Sequence, residues 1–242
     1  MSDADAHIFN VAELDLAYEP APWAFTQRSA NEIGAHWAIR KKALPRLFNG
    51  RVLLLGRHEF AKRGDGATIL RGAYFETDFK AFLAWRDFGF PDASVCNCFS
   101  MAALQSSDGA FLLGEMAAHT ANAGSVYFAA GTPDRSDIRG DRVDLAASVR
   151  RELHEETGIS PDEVAMAPDW TIVYAPPRIA CMKIARSAET AQSIKMRVDV
   201  FLANDEEAEL RRLHIVRRKR DIDAINCPRF IADFLRHALD GA

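Results

Sequence analysis

Residues 150–160 read RRELHEETGIS: three glutamates behind a pair of arginines, closed by a glycine. The stretch ends the longer run VDLAASVRRELHEET, in which Ala146, Val149 and Leu153 recur at helical spacing. A helix is predicted from about Asp144, which can serve as its N-cap, to Thr157, with Gly158 as the left-handed residue that ends it. With 3.6 residues per turn, Glu152, Glu155 and Glu156 fall within an arc of about 100°, beside the apolar stripe. Three carboxylates on one edge repel one another. They also stand near the helix C-terminus, where the macrodipole disfavours negative charge. Arg151 offers one compensating charge, and a divalent cation offers more. Hard carboxylate oxygens suit Mg2+ or Mn2+, which keep several waters and recruit phosphate oxygens as further ligands. The bland alternative for the same pattern is a solvated helix end.

The run Arg151-Glu152-Leu153-His154-Glu155-Glu156-Thr157-Gly158-Ile159 resembles the second half of the Nudix box, G-x5-E-x7-R-E-U-x-E-E-x-G-U with U aliphatic. Every fixed position of that half is filled. Upstream, MAALQSSDGAFLLGEMAAHTANAGSVYFAAGT resembles the family's hairpin and the strand that feeds the box, with Gly131 in the place of the leading glycine. The resemblance runs from about 95 to 160, and in layout to about 205. The first half of the box departs from the pattern. Counting back from Arg151 puts Val143 where the first glutamate belongs, and the stretch from Gly131 to Val143 is six residues longer than the family spacing. Asp144 either stands in for that glutamate or caps the helix, and the cap is the preferred reading. The loop 132–143, with Asp134, Asp137 and Asp141, is another source of an acidic group.

The resemblance implies an α/β fold, an α/β/α sandwich with a mixed sheet. It also implies hydrolysis of the pyrophosphate bond in a nucleoside diphosphate linked to another moiety. By similarity to the motif, Glu152, Glu155 and Glu156 are the metal ligands, one of them doubling as the base that activates water. Arg151 is the arginine that orients them. A base from outside the box is also compatible with the family, and Glu189 and Asp199 are the positional candidates. Substrate recognition needs stacking rings and polar groups, for which Tyr127, Phe128, Tyr174 and Arg178 are candidates beside Gly131. Core packing is the competing reading for each ring. KALPRLFNGRVLLL, with the strand pair and aromatic helix after it, resembles the N-terminal region of Nudix proteins acting on UDP-sugars. Nucleotide sugars are therefore the first substrate class and ADP-ribose the second. The alternative from another class is a Nudix-fold module that binds a nucleotide, as a regulator, without cleaving it; Val143 and the enlarged loop favour it.

The rest of the chain sets the frame. Its 242 residues are 48% hydrophobic and 26% charged, an ordinary globular balance. A net charge of −4 gives no push towards nucleic acid or an anionic membrane. No apolar run approaches the ~20 residues that cross a bilayer, and the acidic N-terminus lacks the marks of a signal peptide. A cytoplasmic protein is expected. Two parts are expected: 1–92, an N-terminal arm with a small α+β subdomain, and 93–242, the hydrolase domain. Residues 1–30 read as an extended arm or partly mobile tail, which would suit a homodimer contact. RVLLLG and ATILRGAYF read as strands around the turn AKRGDG, and 77–90 as a helix capped by Thr77 or Asp78. Asp108-Gly109 marks a hairpin. Strands are expected at SVYFAAG, WTIVYAPP, IACMKIAR and MRVDVFLA, and helices at DEEAELRRLHI and in the tail after Pro228. Cys96 and Cys98 read as buried free thiols on one strand face. His119 reads as structural or surface, and the basic run 211–221 as a solvated face.

Overall fold

The computed structural model describes residues 6–205 and 207–240. The chain opens with strands β1 (His7–Val11) and β2 (Glu13–Tyr18), helices α1 (Ala24–Arg28) and α2 (Ala30–Ala43), and the long hairpin of β3 (Arg51–Lys62) and β4 (Thr68–Asp78). Helix α3 (Phe79–Asp87) follows, then β5 (Asn97–Gln105), β6 (Phe111–Met116) and the short β7 (Val126–Tyr127). The two-residue strands β8 (Ile138–Arg139) and β9 (Arg142–Val143) lead into α4 (Leu145–Thr157). Strands β10 (Val164–Met166), β11 (Trp170–Ala175) and β12 (Arg178–Ser187), helix α5 (Ala191–Ala203), β13 (Leu210–Val216), α6 (Lys219–Ile222) and α7 (Arg229–Asp240) complete it.

These elements build two mixed sheets. The larger runs β1-β11-β12-β5-β6-β13, with β10 beside β12 and β7 beside β6. Its β5–β12 pair is parallel and the others antiparallel. The smaller runs β3-β4-β2-β9-β8. One core lies between the sheets. It joins Leu16, Leu55 and Leu70 of the smaller sheet to Cys98, Leu104 and Ile172 of the larger, with Val149 and Leu153 of α4 and Ile194 of α5. A second core fills the far face of the larger sheet under Phe234 and Leu235 of α7, and a third packs Trp85 and Phe82 of α3 on the outer face of the smaller. Helices thus cover both outer faces, an α/β class. Among the described residues no helix is long and apolar enough to cross a membrane.

Both sheets draw strands from either side of residue 92. β1 pairs with β11, and β9 pairs with β2. Strands β1 and β2 of the expected arm are therefore built into the two sheets, and α1 lies in its remainder; residues 1–5 of it lie outside the described residues.

Several local expectations are met. Asp108-Gly109 closes the β5–β6 hairpin with Gly109 at φ 79°. Cys96, Cys98 and Cys181 are buried free thiols. α7 starts just after Pro228. Two elements come out the other way. MRVDVFLA is not a strand but the body of helix α5, where Ala191, Ile194 and Val198 are buried at helical spacing. Its β-branched and aromatic residues imitate a strand composition. LRRLHIV is not a helix but β13, and Glu206 of the expected helix lies outside the described residues. Leu210 and Leu213 share one face because the register shifts between Leu210 and Arg212, and Val216 is buried on the opposite face under α7, so the three are spaced by three. That bulge breaks strand alternation and mimics a helix. SVYFAAG is a strand only at Val126–Tyr127, continued by a single bridge from Ala129 to Ala102.

Candidate active site

Helix α4 forms as its sequence requires. Asp144 caps it, its carboxylate accepting from the N–H groups of Ala146 and Ala147 at 3.0 and 2.9 Å. Gly158 ends it at φ 70°. Asp144 is thereby used up as a cap, as preferred from the sequence. Leu153 and Val149 are fully buried and pin the helix to the larger sheet. This fixes the rotation of the helix, so Arg151, Glu152, Glu155 and Glu156 all line a cleft of about 940 Å3.

Arg151 organises the carboxylates. Its guanidinium donates to Glu152 at 2.7 Å, to Glu155 at 3.3 Å and to Asp137 at 2.9 Å. Burial works against the Arg151 charge, and these ion pairs outweigh it and raise the pKa. Asp137 is 1% exposed, and it also accepts from the backbone N–H of Asp134. Val143, where counting back places the first glutamate of the box, is instead buried in the core. Counting forward from Gly131 lands on Asp137, and the six extra residues, 138–143, are the β8–β9 hairpin that joins the smaller sheet. That forward count is the signal that backward counting from Arg151 misses.

Glu152 packs against Gly131. A methyl group on Gly131 would fall 2.1 Å from the Glu152 carboxylate, so that close approach needs glycine. Burial pushes the Glu152 carboxyl up to about 7, against the pull of Arg151. Glu156 is buried and accepts from the Ala130 N–H at 3.1 Å. Burial pushes its carboxyl well above the usual range, and no Lys, Arg or His among the described residues pairs with it. Glu155 is largely exposed.

This donor set suits a hard divalent cation: it is all carboxylate oxygen, and Glu156 is a buried acid lacking a positive partner beside an open cleft. Among the described residues no three His, Cys, Asp or Glu are already gathered into a ready cage, because Arg151 engages Glu152 and Glu155. Asp134 and Glu209 also line the cleft. Glu209 sits just before the misread β13, and nothing in its local sequence marks it.

The other sequence candidates separate. Tyr127 and Arg178 line the cleft, Arg178 with its guanidinium 4.7 Å over the Phe90 ring. Phe128 is also among the lining residues, but at 1% exposure its ring packs edge-on with Phe111 and Phe234 in the core. Tyr174 packs against Phe60. Glu189 is held by Arg197 and Asp199 by Lys195, and neither lines this cleft. His119 lines its edge. In the basic run Arg211, Arg212 and residues 217–220 are exposed, as expected of a solvated face, and Arg212 and half-buried His214 also pair with Glu115 across the sheet. The N-terminal segment contributes Arg46, Phe48, Arg51 and Arg86 to the lining, Phe48 at 81% exposure.

No family model matches the chain, and no curated protein is similar to it in sequence. Among solved structures it is similar to the Nudix hydrolase RenU of M. smegmatis, at 15% identity over 58% of this chain and 81% of that one, TM-score 0.37. It is similar also to the MutT protein of Methanosarcina mazei Go1, at 18% identity over 58% and 91%, TM-score 0.37. The protein DR0079 of Deinococcus radiodurans matches over 75% of this chain and 99% of that one, at 12% identity and TM-score 0.43. These are likenesses of fold at low identity, and what the chain does is argued from its own cleft.

Proposed function

We propose that the protein hydrolyses the pyrophosphate bond of a nucleoside diphosphate linked to another moiety, with Mg2+ or Mn2+ as cofactor. A nucleotide sugar is the first substrate class and ADP-ribose the second. The observation that carries this reading is Glu156: a buried carboxylate without a cationic partner among the described residues, facing a cleft beside two further glutamates that share one arginine. Burying an uncompensated acid is costly, and a site that keeps one is expected to use it.

In this reading Glu152, Glu155 and Glu156 hold the cation. When bound, it neutralises phosphate charge and acidifies water. Arg151, anchored by buried Asp137, sets the rotamers of Glu152 and Glu155 and keeps their charges apart. Gly131 keeps the floor of the site free of a side chain, so Glu152 reaches its place. One of these glutamates, or a base from outside the helix, takes the proton from water. Tyr127 and Arg178 are the substrate contacts, and the cleft volume falls in the range that takes a nucleotide-sized ligand.

The second reading, a nucleotide-binding module without turnover, draws on Val143, which supplies no carboxylate. Asp137 answers that point by giving Arg151 its acidic partner. Incubation with NDP-sugars, ADP-ribose, dinucleoside polyphosphates and NADH in Mg2+, with phosphatase-coupled detection, separates the two. Turnover that is lost with EDTA and in the Glu155→Gln, Glu156→Gln double variant is expected. Binding without turnover of any compound would select the module.

A further inference from the structure

We infer that the cleft carries a second anion subsite, built on Arg178, Arg86 and Asn97, for a hydroxyl-bearing oxyanion that the substrate holds in addition to its pyrophosphate. The inference rests on the pyrophosphatase reading for its substrate frame, and its evidence comes from other residues.

β5 and β12 are parallel, with Asn97 registered opposite Arg178. Registered residues leave the same face of the sheet. The next pairs on that face are Phe99 with Ala180 and Met101 with Met182, which lie in or against the core under α7. Asn97 and Arg178 thus begin a row that is core further in and opens into the cleft at its start. Phe99 packs on Phe230 at 5.7 Å, and Tyr127 lies beside the same ring at 6.4 Å, giving an apolar wall.

Arg178 is half-buried, with its guanidinium over the face of Phe90 and Tyr127 nearby, and no carboxylate among the described residues pairs with it. A guanidinium buried to this degree ordinarily pairs with a carboxylate. Burial pushes its pKa below the usual arginine value, Tyr127 opposes that, and the nearby Arg86 charge adds to the lowering. Arg86 is held in place by Asp87 at 3.1 Å and Asn122 at 3.3 Å, and Asp87 is shared with His36 and Arg40. Asp233 also lines the cleft but is engaged by Arg229 and Arg236, so the Arg178 charge is left without a carboxylate of its own beside an Arg86 that shares one. Beside them the Oδ1 of Asn97 is buried with no hydrogen-bond partner. A buried acceptor in that state calls for a donor. An oxyanion satisfies the guanidiniums and an adjacent hydroxyl satisfies Asn97. A sugar carrying a carboxylate or a second phosphate presents both within a few bonds. A purely structural arginine stacked on Phe90 would explain neither the Arg86 charge nor the orphaned amide.

The test compares matched pairs in Mg2+: UDP-glucuronate against UDP-glucose, and ADP-ribose 2′-phosphate against ADP-ribose. The acidic member of one pair is expected to have a KM lower by about tenfold or more, the scale of a charge-assisted contact. Which pair responds says whether the oxyanion sits on the distal sugar or on the nucleoside. Arg178→Gln is expected to collapse that ratio towards one, with the change in KM rather than kcat; Arg86→Gln serves if Arg178→Gln does not fold. Asn97→Ala is expected to reduce it in part. Equal KM within both pairs, or an equal loss for both members in Arg178→Gln, overturns the subsite. If none of the four compounds turns over, the pyrophosphatase reading fails instead. Calorimetric Kd ratios for the same pairs then decide the subsite by the same criterion.

Discussion

Along α4, Glu152, Glu155 and Glu156 come from five consecutive residues, and one arginine with one buried aspartate behind it sets their positions. In the other part of the cleft, Arg86, Asn97, Tyr127, Arg178 and Phe230 arrive from five separate elements and carry no carboxylate of their own. The first part has an excess of acid and the second an excess of base. A local helical repeat fixes the first, so its side chains keep their spacing as long as α4 stays seated. The second exists only when α3, the two sheets and α7 are all in place. Substitutions on the helix edge should therefore act on the chemical step, and substitutions in the dispersed group on which substrate is held.

The largest effect that sharpens this contrast is on turnover. Neutralising Glu155 and Glu156 together as glutamines is expected to lower hydrolysis roughly 100-fold or more, since metal affinity and the field at the phosphates fall together. The same change is expected to raise metal-free thermal stability, because Glu156 is a buried acid without a cation. A melting temperature that falls would count against the proposed strain. Next comes the seat of the helix. Leu153→Ala removes a fully buried side chain between the sheets and is expected to cost about 2–5 kcal/mol in denaturant unfolding. A loss below about 1 kcal/mol would mean that α4 is not anchored as described.

Asp137→Asn probes the arginine. It takes the negative charge from a buried group that bonds Arg151, so a loss of about 3 kcal/mol is expected, with reduced activity as Glu152 and Glu155 lose their organiser. Unchanged activity at unchanged stability would remove Asp137 from the site. The smallest effect is expected from Gly131→Ala. The added methyl meets the flexible end of Glu152 rather than backbone, so activity should fall about tenfold while stability barely moves.

What could be read in the sequence follows the same division. The cap at Asp144, the stripe of Val149 and Leu153, the left-handed Gly158 and the shared edge of the glutamates all lie within 15 residues, where helix geometry decides everything. Asp137 was one step away. The pattern counted forward from Gly131 reaches it, but the β8–β9 insertion hides it from a backward count. Arg178 is a candidate from its sequence, but that Arg86 and Asn97 join it is not legible there, because residues far apart in sequence meet only through the β5–β12 register and the packing of α3. Strand β13 shows how tertiary detail defeats periodicity. A bulge, together with burial on both faces of the strand, spaces its buried residues like a helix. The arm is extended, as its sequence suggests, but its partners are not legible there. β1 and β2 are short and weakly patterned, and each gains its order from a partner supplied by a distant segment.

The most direct test of the central claim is Mn2+ binding followed by the loss of its free-ion paramagnetic resonance signal, with a non-hydrolysable diphosphonate nucleotide present. Saturable binding by the wild-type protein is expected, with loss of that binding in the Glu155→Gln, Glu156→Gln variant at unchanged fold. Mn2+ uptake of equal strength in both proteins, or none in either, would contradict the assignment of the α4 glutamates as the metal-holding edge of the cleft.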